Sequence, residues 1–222
     1  MKINIITLFP EIFQSTFGKS IIKRSIDKEL ISIEYVNLRN FGLQKHKIVD
    51  DKPYGGGQGM VMMVEPIAKS LSTIKPKAYT ILLTPSGKKY TQNIAQKLSK
   101  KKNLTIICGH YEGIDARTED LVDEVISIGD FVLTGGEIPA MAIVDSVARL
   151  IPGVIQKNSL SEESFSGIEN YLEYPQYTRP KVYKNKKVPE ILLSGNHAKI
   201  AKWRKQQALK RTQKYRPEIV KS

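Results

Sequence analysis

The sequence predicts an α/β protein, a mostly parallel sheet with helices on both faces, followed by a small, mainly helical C-terminal domain. Three observations carry that prediction. Short β-branched apolar runs recur along the first two thirds of the chain, segments of helical spacing lie between several of them, and the charge balance changes near residue 173. Strands that alternate with helices pack as layers around a parallel sheet.

Strands are expected at 3–8, 31–36, 78–84, 104–108 and 121–128, each short, apolar and followed by turn residues. Pro66 can open a helix at its first turn, with Ile67, Leu71 and Ile74 then at three- and four-residue spacing. A second helix is expected at 90–102 and a third at 138–151, where Met141, Val144, Ala148 and Ile151 share a face before Pro152-Gly153 stops the run. Periodicity then lapses into a polar stretch that reads as a linker. The domains are accordingly expected at 1–154 and 171–222, with 155–170 between them. Asn196 is placed to cap a helix running to about residue 212, on which Lys199, Lys202, Gln206 and Lys210 form a cationic stripe.

At 222 residues, with 41% apolar and 26% charged residues, the chain is long enough to bury a sizeable core and is neither disordered nor fibrous in composition. No apolar run approaches the length of a membrane span, and the N-terminus lacks the small-residue cleavage pattern of a secretory signal. The single cysteine, Cys108, excludes an intramolecular disulfide and a thiolate-based zinc site, so a reducing cytoplasmic setting is expected. His46, His110 and His197 have no ligand spacing, and no metal site is predicted; a divalent ion is compatible with the composition without being indicated by it.

The net charge is +13, and the residues after Glu173 hold 14 basic against 2 acidic side chains, so nearly all the excess sits there. A solvated tail would explain basic charge alone. This one also holds the only tryptophan, Trp203, and helix signals, which favour contact with a phosphate backbone.

Two glycine-rich regions suggest chemistry. The first runs Asp50-Asp51-Lys52-Pro53-Tyr54-Gly55-Gly56-Gly57-Gln58-Gly59. It fits neither the P-loop nor the dinucleotide fingerprint. Asp50, Gly55 and Gly59 are candidates for substrate contact, as are Lys199 and Lys202. The second comprises turns just past expected strands: Thr84-Pro85-Ser86-Gly87, Gly109-His110-Tyr111-Glu112-Gly113, and the stretch from Gly129 to Pro139. Glycines at strand ends let backbone groups approach a small molecule, so a shared pocket is expected. Asp145 and Arg149 stand one helical turn apart, which suits either an ion pair or a substrate-facing cation.

The ordered set Asp50–Gly57, Cys108-Gly109-His110-Tyr111-Glu112-Gly113-Ile114-Asp115, Ser127-Ile128-Gly129-Asp130, Gly135-Gly136-Glu137, Tyr174-Pro175-Gln176-Tyr177-Thr178-Arg179-Pro180 and Leu193-Ser194-Gly195-Asn196-His197 resembles the bacterial tRNA (guanine-N1)-methyltransferase family of the SPOUT superfamily, over essentially the whole chain. The resemblance implies an S-adenosylmethionine donor, methylation of N1 of the guanosine immediately 3′ of the anticodon, a trefoil knot in the α/β domain and a homodimer. It also implies that Leu83, Thr84, Gly109, Tyr111, Glu112, Gly113, Ile128, Gly129, Leu133, Gly135, Gly136 and Pro139 cradle the donor. Arg149 matches the family's catalytic arginine. The family's linker aspartate is replaced by Glu163, with Glu162 and Glu173 as neighbouring alternatives for the base. Two other readings are a non-catalytic RNA-binding module, favoured by the basic tail, and a nucleotide-phosphate enzyme, opposed by the missing P-loop lysine.

Overall fold

The computed structural model describes residues 1–156, 162–166 and 169–220. Of the expected linker, 157–161 and 167–168 therefore lie outside the described residues. The chain divides into two compact units, Met1–Ile155 and Gln156–Ser222.

The first unit is a five-stranded, wholly parallel sheet of β1 (Lys2–Thr7), β2 (Ser32–Asn37), β5 (Tyr79–Lys89), β6 (Asn103–Cys108) and β7 (Glu124–Ser127), in the order β2-β1-β6-β5-β7. The short strands β3 (Asp50–Asp51) and β4 (Val61–Met62) pair antiparallel beside it. Side chains alternate across the sheet as period-two strands require. Ile3, Ile5, Ile81, Leu104 and Ile106 face one cluster, with Phe13, Ile22, Leu98 and Val144 from the helices α1 (Ile12–Phe17), α2 (Ser20–Asp27), α4 (Gln92–Ser99) and α5 (Glu137–Ala148). Ile6, Leu82 and Ile107 face the other, with Ile67 from α3 (Val64–Ser72) and Leu38. Helices thus cover both faces of a parallel sheet, as the sequence led one to expect.

Several elements differ in extent. α1 and α2 fill a stretch for which no helix is predicted; Phe13 and Phe17, one turn apart and buried, were the signal for α1. Leu121 is 41% exposed and ends a 3-10 turn, Ala116–Leu121, whose start is capped by the Asp115 carboxylate accepting from the Arg117 amide, so the last strand begins only at Glu124. β5 runs past the expected turn: residues 84–87 loop out, and the strand pairs again at Lys88 with Ile126. α5 stops at Ala148, because Leu150 and Ile151 bond back three residues rather than four, to Val147 and Ala148.

In the second unit, β8 (Val182–Tyr183) and β9 (Lys186–Lys187) form a small hairpin. It is followed by α6 (His197–Tyr215) and the single turn α7 (Pro217–Val220). Asn196 caps α6 through its side-chain oxygen, which accepts the Lys199 amide at 3.0 Å. The helix continues a turn beyond residue 212 because Thr212 is a buried packing point, taking the Leu172 amide at 2.9 Å and donating to the Ala208 carbonyl.

Candidate active site

The looped-out segment of β5 at 84–87 and the turns that follow β6 and β7 enclose a cleft of about 700 Å³, its open mouth included. All twelve residues proposed from the sequence to cradle a donor line it. The turns are held together by backbone. The Gly136 amide donates to the Gly109 carbonyl at 2.7 Å, and a Cβ on Gly136 would lie 2.7 Å from the Cys108 Cα, so only glycine permits this packing. Leu83 is buried in the floor, and Phe131, Val132 and Leu133 stand exposed at the rim.

The glycine-rich loop is tied to this cleft. β4 runs alongside the turn at 110–115: the Met62 amide donates to the Gly113 carbonyl, the Glu112 amide to Met60 and the Asp115 amide to Met62, at 2.9, 3.0 and 2.9 Å. Gly55, Gly56, Gly57 and Gly59 all have positive φ, as a loop rich in glycine predicts, and Gly59 packs against the Glu112 side chain. Gly55 points into open space. Asp50, on β3, faces the Tyr111 phenol, which is pushed above its ordinary pKa first by burial and then by the charge and hydrogen bond of Asp50, against the opposing Arg39. Tyr111 itself adopts the left-handed conformation, φ +61°.

Arg149 is the partly buried residue that ends α5, its amide bonded to the Asp145 carbonyl at 3.2 Å. Glu163 belongs to the other unit, where it is half-buried in a groove with Tyr174, Tyr177 and Arg204. The neighbouring acids are engaged there. Glu162 accepts the Tyr174 hydroxyl at 2.6 Å and lies 3.4 Å from Arg204, whose guanidinium also covers the Tyr174 ring at 4.6 Å. Burial, reinforced by the Glu162 carboxylate, pushes Tyr174 up to about 12. Glu173 accepts from the Gln176 amide group, and its own amide donates to the Ser164 hydroxyl at 2.9 Å. Lys199 and Lys202 lie exposed on α6 with Gln206 and Lys210, forming the expected stripe.

Sequence reasoning missed one group of residues. Glu137 is 4% exposed at the start of α5, where its Oε1 accepts the Thr7 hydroxyl at 2.8 Å, and its charge joins burial in raising the Cys108 thiol well above its ordinary value. A carboxylate at the head of a helix whose next seven residues are apolar, directly after two glycines, was the visible signal. Among the described residues, no group of three or more His, Cys, Asp and Glu side chains is placed to hold a metal ion, and no helix is long and apolar enough to cross a membrane.

A parallel α/β sheet whose strand-end glycine turns close a cleft at its carboxyl edge defines a small-molecule-binding α/β protein. Comparison with known proteins makes the class specific. Residues 1–222 match the family described as tRNA (Guanine-1)-methyltransferase TrmD, and the chain belongs to that family. Proteins described as tRNA (guanine-N(1)-)-methyltransferase from Carboxydothermus hydrogenoformans and Dictyoglomus turgidum are 54% and 53% identical to it, over 100% and 99% of this chain and 88% and 90% of their own. One from Mycoplasmopsis synoviae is 51% identical over 99% of this chain and 97% of its own.

Proposed function

We propose that this chain transfers a methyl group from S-adenosylmethionine to N1 of the guanosine immediately 3′ of the anticodon in tRNA. The observation that carries the reading is the cleft formed by the β5 loop and the turns after β6 and β7 in a chain that matches a tRNA (Guanine-1)-methyltransferase family from end to end. The residues present fit the donor. Gly109 and Gly136 line the cleft without side chains, packed where a Cβ would strike Ile114 and the Cys108 backbone, Leu83, Ile128, Leu133 and Pro139 offer apolar walls for a flat ring, and Glu112 brings a carboxylate suited to a cationic ligand. When bound, S-adenosylmethionine supplies an activated methyl group.

The chain's own side chains must handle a proton and a charge. Neutral guanine carries a proton on N1, so a carboxylate has to accept it as the nitrogen attacks, and a cation has to oppose the negative charge growing on O6. Glu163 is assigned the first task and Arg149 the second. Asp50, Gly55 and Gly59 are assigned to substrate contact beside the cleft, and Lys199 and Lys202 to the phosphate backbone.

The same proposal includes a trefoil knot, a donor-binding domain at 1–154, a linker at 155–170 and a tRNA-binding domain at 171–222, working as a homodimer in the cytoplasm. The knot rests on the match of residues 1–222 to the family. The exposed apolar side chains Phe131, Val132, Leu133 and Ile138 support a second copy as their cover. Transfer of labelled methyl to tRNA bearing guanosine or adenosine at the target position tests the whole reading. Incorporation into the guanosine substrate alone is expected, and none into either overturns it.

A further inference from the structure

A buried carboxylate lies behind the cleft wall and takes no part in the chemistry just described. Glu137 is anchored to the end of β1 through Thr7, whose hydroxyl donates to Oε1 at 2.8 Å while also accepting the Phe9 amide at 3.0 Å. The other oxygen, Oε2, faces His110 Nδ1 at 3.9 Å. That nitrogen is itself buried and, among the described residues, has no hydrogen-bond partner. Two polar groups that are costly to leave unpaired thus confront each other across a gap about 1 Å longer than a hydrogen bond. Gly135 keeps the gap clear: a Cβ there would collide with Oε2 and lie 2.6 Å from Nδ1. Phe9 braces the imidazole, its ring centroid 5.1 Å away.

We infer that His110 and Glu137 are a positioning pair for the donor cleft. A hydrogen bond from Nδ1–H to Oε2 draws the turn at 109–113 onto the turn at 134–136, and Thr7 holds the carboxylate in place for it. The inference rests on the donor reading of the cleft. His110, Gly135 and Gly136 line that cleft whereas Glu137 lies behind it, so Glu137 acts through the spacing of the two turns. The pair should therefore govern how tightly the donor is held and leave the rate of methyl transfer from a full site nearly untouched.

Calorimetric titration of the full chain with S-adenosylmethionine, together with single-turnover methylation at saturating donor, tests the pair. His110→Phe keeps a flat ring against Phe9 but has no donor, Glu137→Gln keeps an acceptor for Thr7 but removes the charge, and His110→Asn returns an N–H near the Nδ1 position. The first two should raise Kd about tenfold, and the asparagine should bring it back to within about threefold of the original. The double variant His110→Phe with Glu137→Gln should be no weaker than either single one, since each removes the same interaction. Single-turnover rates should stay within about threefold throughout. Unchanged affinity in His110→Phe, or an asparagine variant as weak as the phenylalanine one, overturns the pair even if Glu137→Gln fails to fold. If the unaltered protein takes up donor and only these outcomes fail, the donor reading stands. If it takes up none, that reading falls and the pair with it.

Discussion

Gly136 and Cys108 are packed backbone to backbone, with the position of a Cβ on Gly136 lying 2.7 Å from the Cys108 Cα and 2.8 Å from the Gly109 nitrogen. Neither neighbour is the end of a flexible side chain, so neither can yield. Gly136→Ala should therefore force the cleft turns apart, costing about 1–3 kcal/mol as overpacked sites do. A melting temperature lowered by several degrees with S-adenosylmethionine binding lost is the expected result. Unaltered calorimetric affinity would show that the turns close without this contact.

Alkaline stability should report on the same strand end. Cys108 is 1% exposed, and burial, helped by the Glu137 charge, holds its thiol well above the ordinary 9.0. The unfolded chain releases that proton near pH 9 while the folded chain keeps it, so the contribution is fully present below pH 9 and is lost as pH rises beyond it. The slope from one such group reaches about 1.4 kcal/mol per pH unit. Tyr90, which burial pushes up to about 12 despite its 2.7 Å bond with Ser146, adds a second loss from pH 10 upward. Urea midpoints between pH 8 and 10 should fall for the unaltered chain and more shallowly for Cys108→Ala; equal slopes would remove Cys108 from the account.

Strands buried on both faces, such as β1 and β6, were legible because parallel sheets demand continuous β-branched apolar runs. The cleft turns were legible because glycine after such a run has few other uses. What escaped depended on residues distant in sequence meeting in space. β5 resumes at Lys88 only because Gly87 can lie against the Ile126 backbone, where a Cβ would come within 2.7 Å of Cα. Leu121 looks like strand by its side chain, yet the Asp115 cap decides its conformation. The approach of His110 to Glu137 is set by three segments meeting, and no local spacing encodes that.

The lysine stripe of α6 should determine affinity for RNA and its dependence on salt. Lys199, Lys202 and Lys210 are all exposed along one face. Replacing the three by alanine should weaken tRNA binding and reduce the slope of log affinity against log salt by about 0.7–0.9 for each phosphate no longer neutralised. Donor affinity should not change, because S-adenosylmethionine is assigned to the first unit. A triple variant with the original salt slope would move the RNA-binding surface off this face.

The base is the assignment on which this sequence and its family differ, and the second unit offers a way to decide among three carboxylates. Glu162 holds the Tyr174 hydroxyl at 2.6 Å and stands 3.4 Å from Arg204, and Glu173 accepts from Gln176, so an amide at either would disturb a known contact of the groove. If Glu163 accepts the N1 proton, Glu163→Gln keeps shape and polarity but removes basicity. Methyl transfer should then slow about 10²- to 10⁴-fold, the usual worth of a positioned base, with donor and tRNA affinities nearly unchanged. Glu163→Asp returns the family's residue, one methylene shorter, and should retain far more activity than the amide. Glu162→Gln and Glu173→Gln should act through the groove instead, lowering thermal stability while slowing transfer by less than about tenfold. Arg149→Ala should depress the chemical step as well, since the charge on O6 would then go unopposed. These rates must come from single turnovers, because slow product release can mask a chemical defect in the steady state. A Glu163→Gln variant that methylates at the original rate while one neighbouring amide does not would transfer the role to that neighbour; three active amides would mean that the proton leaves N1 without help from a carboxylate of this segment.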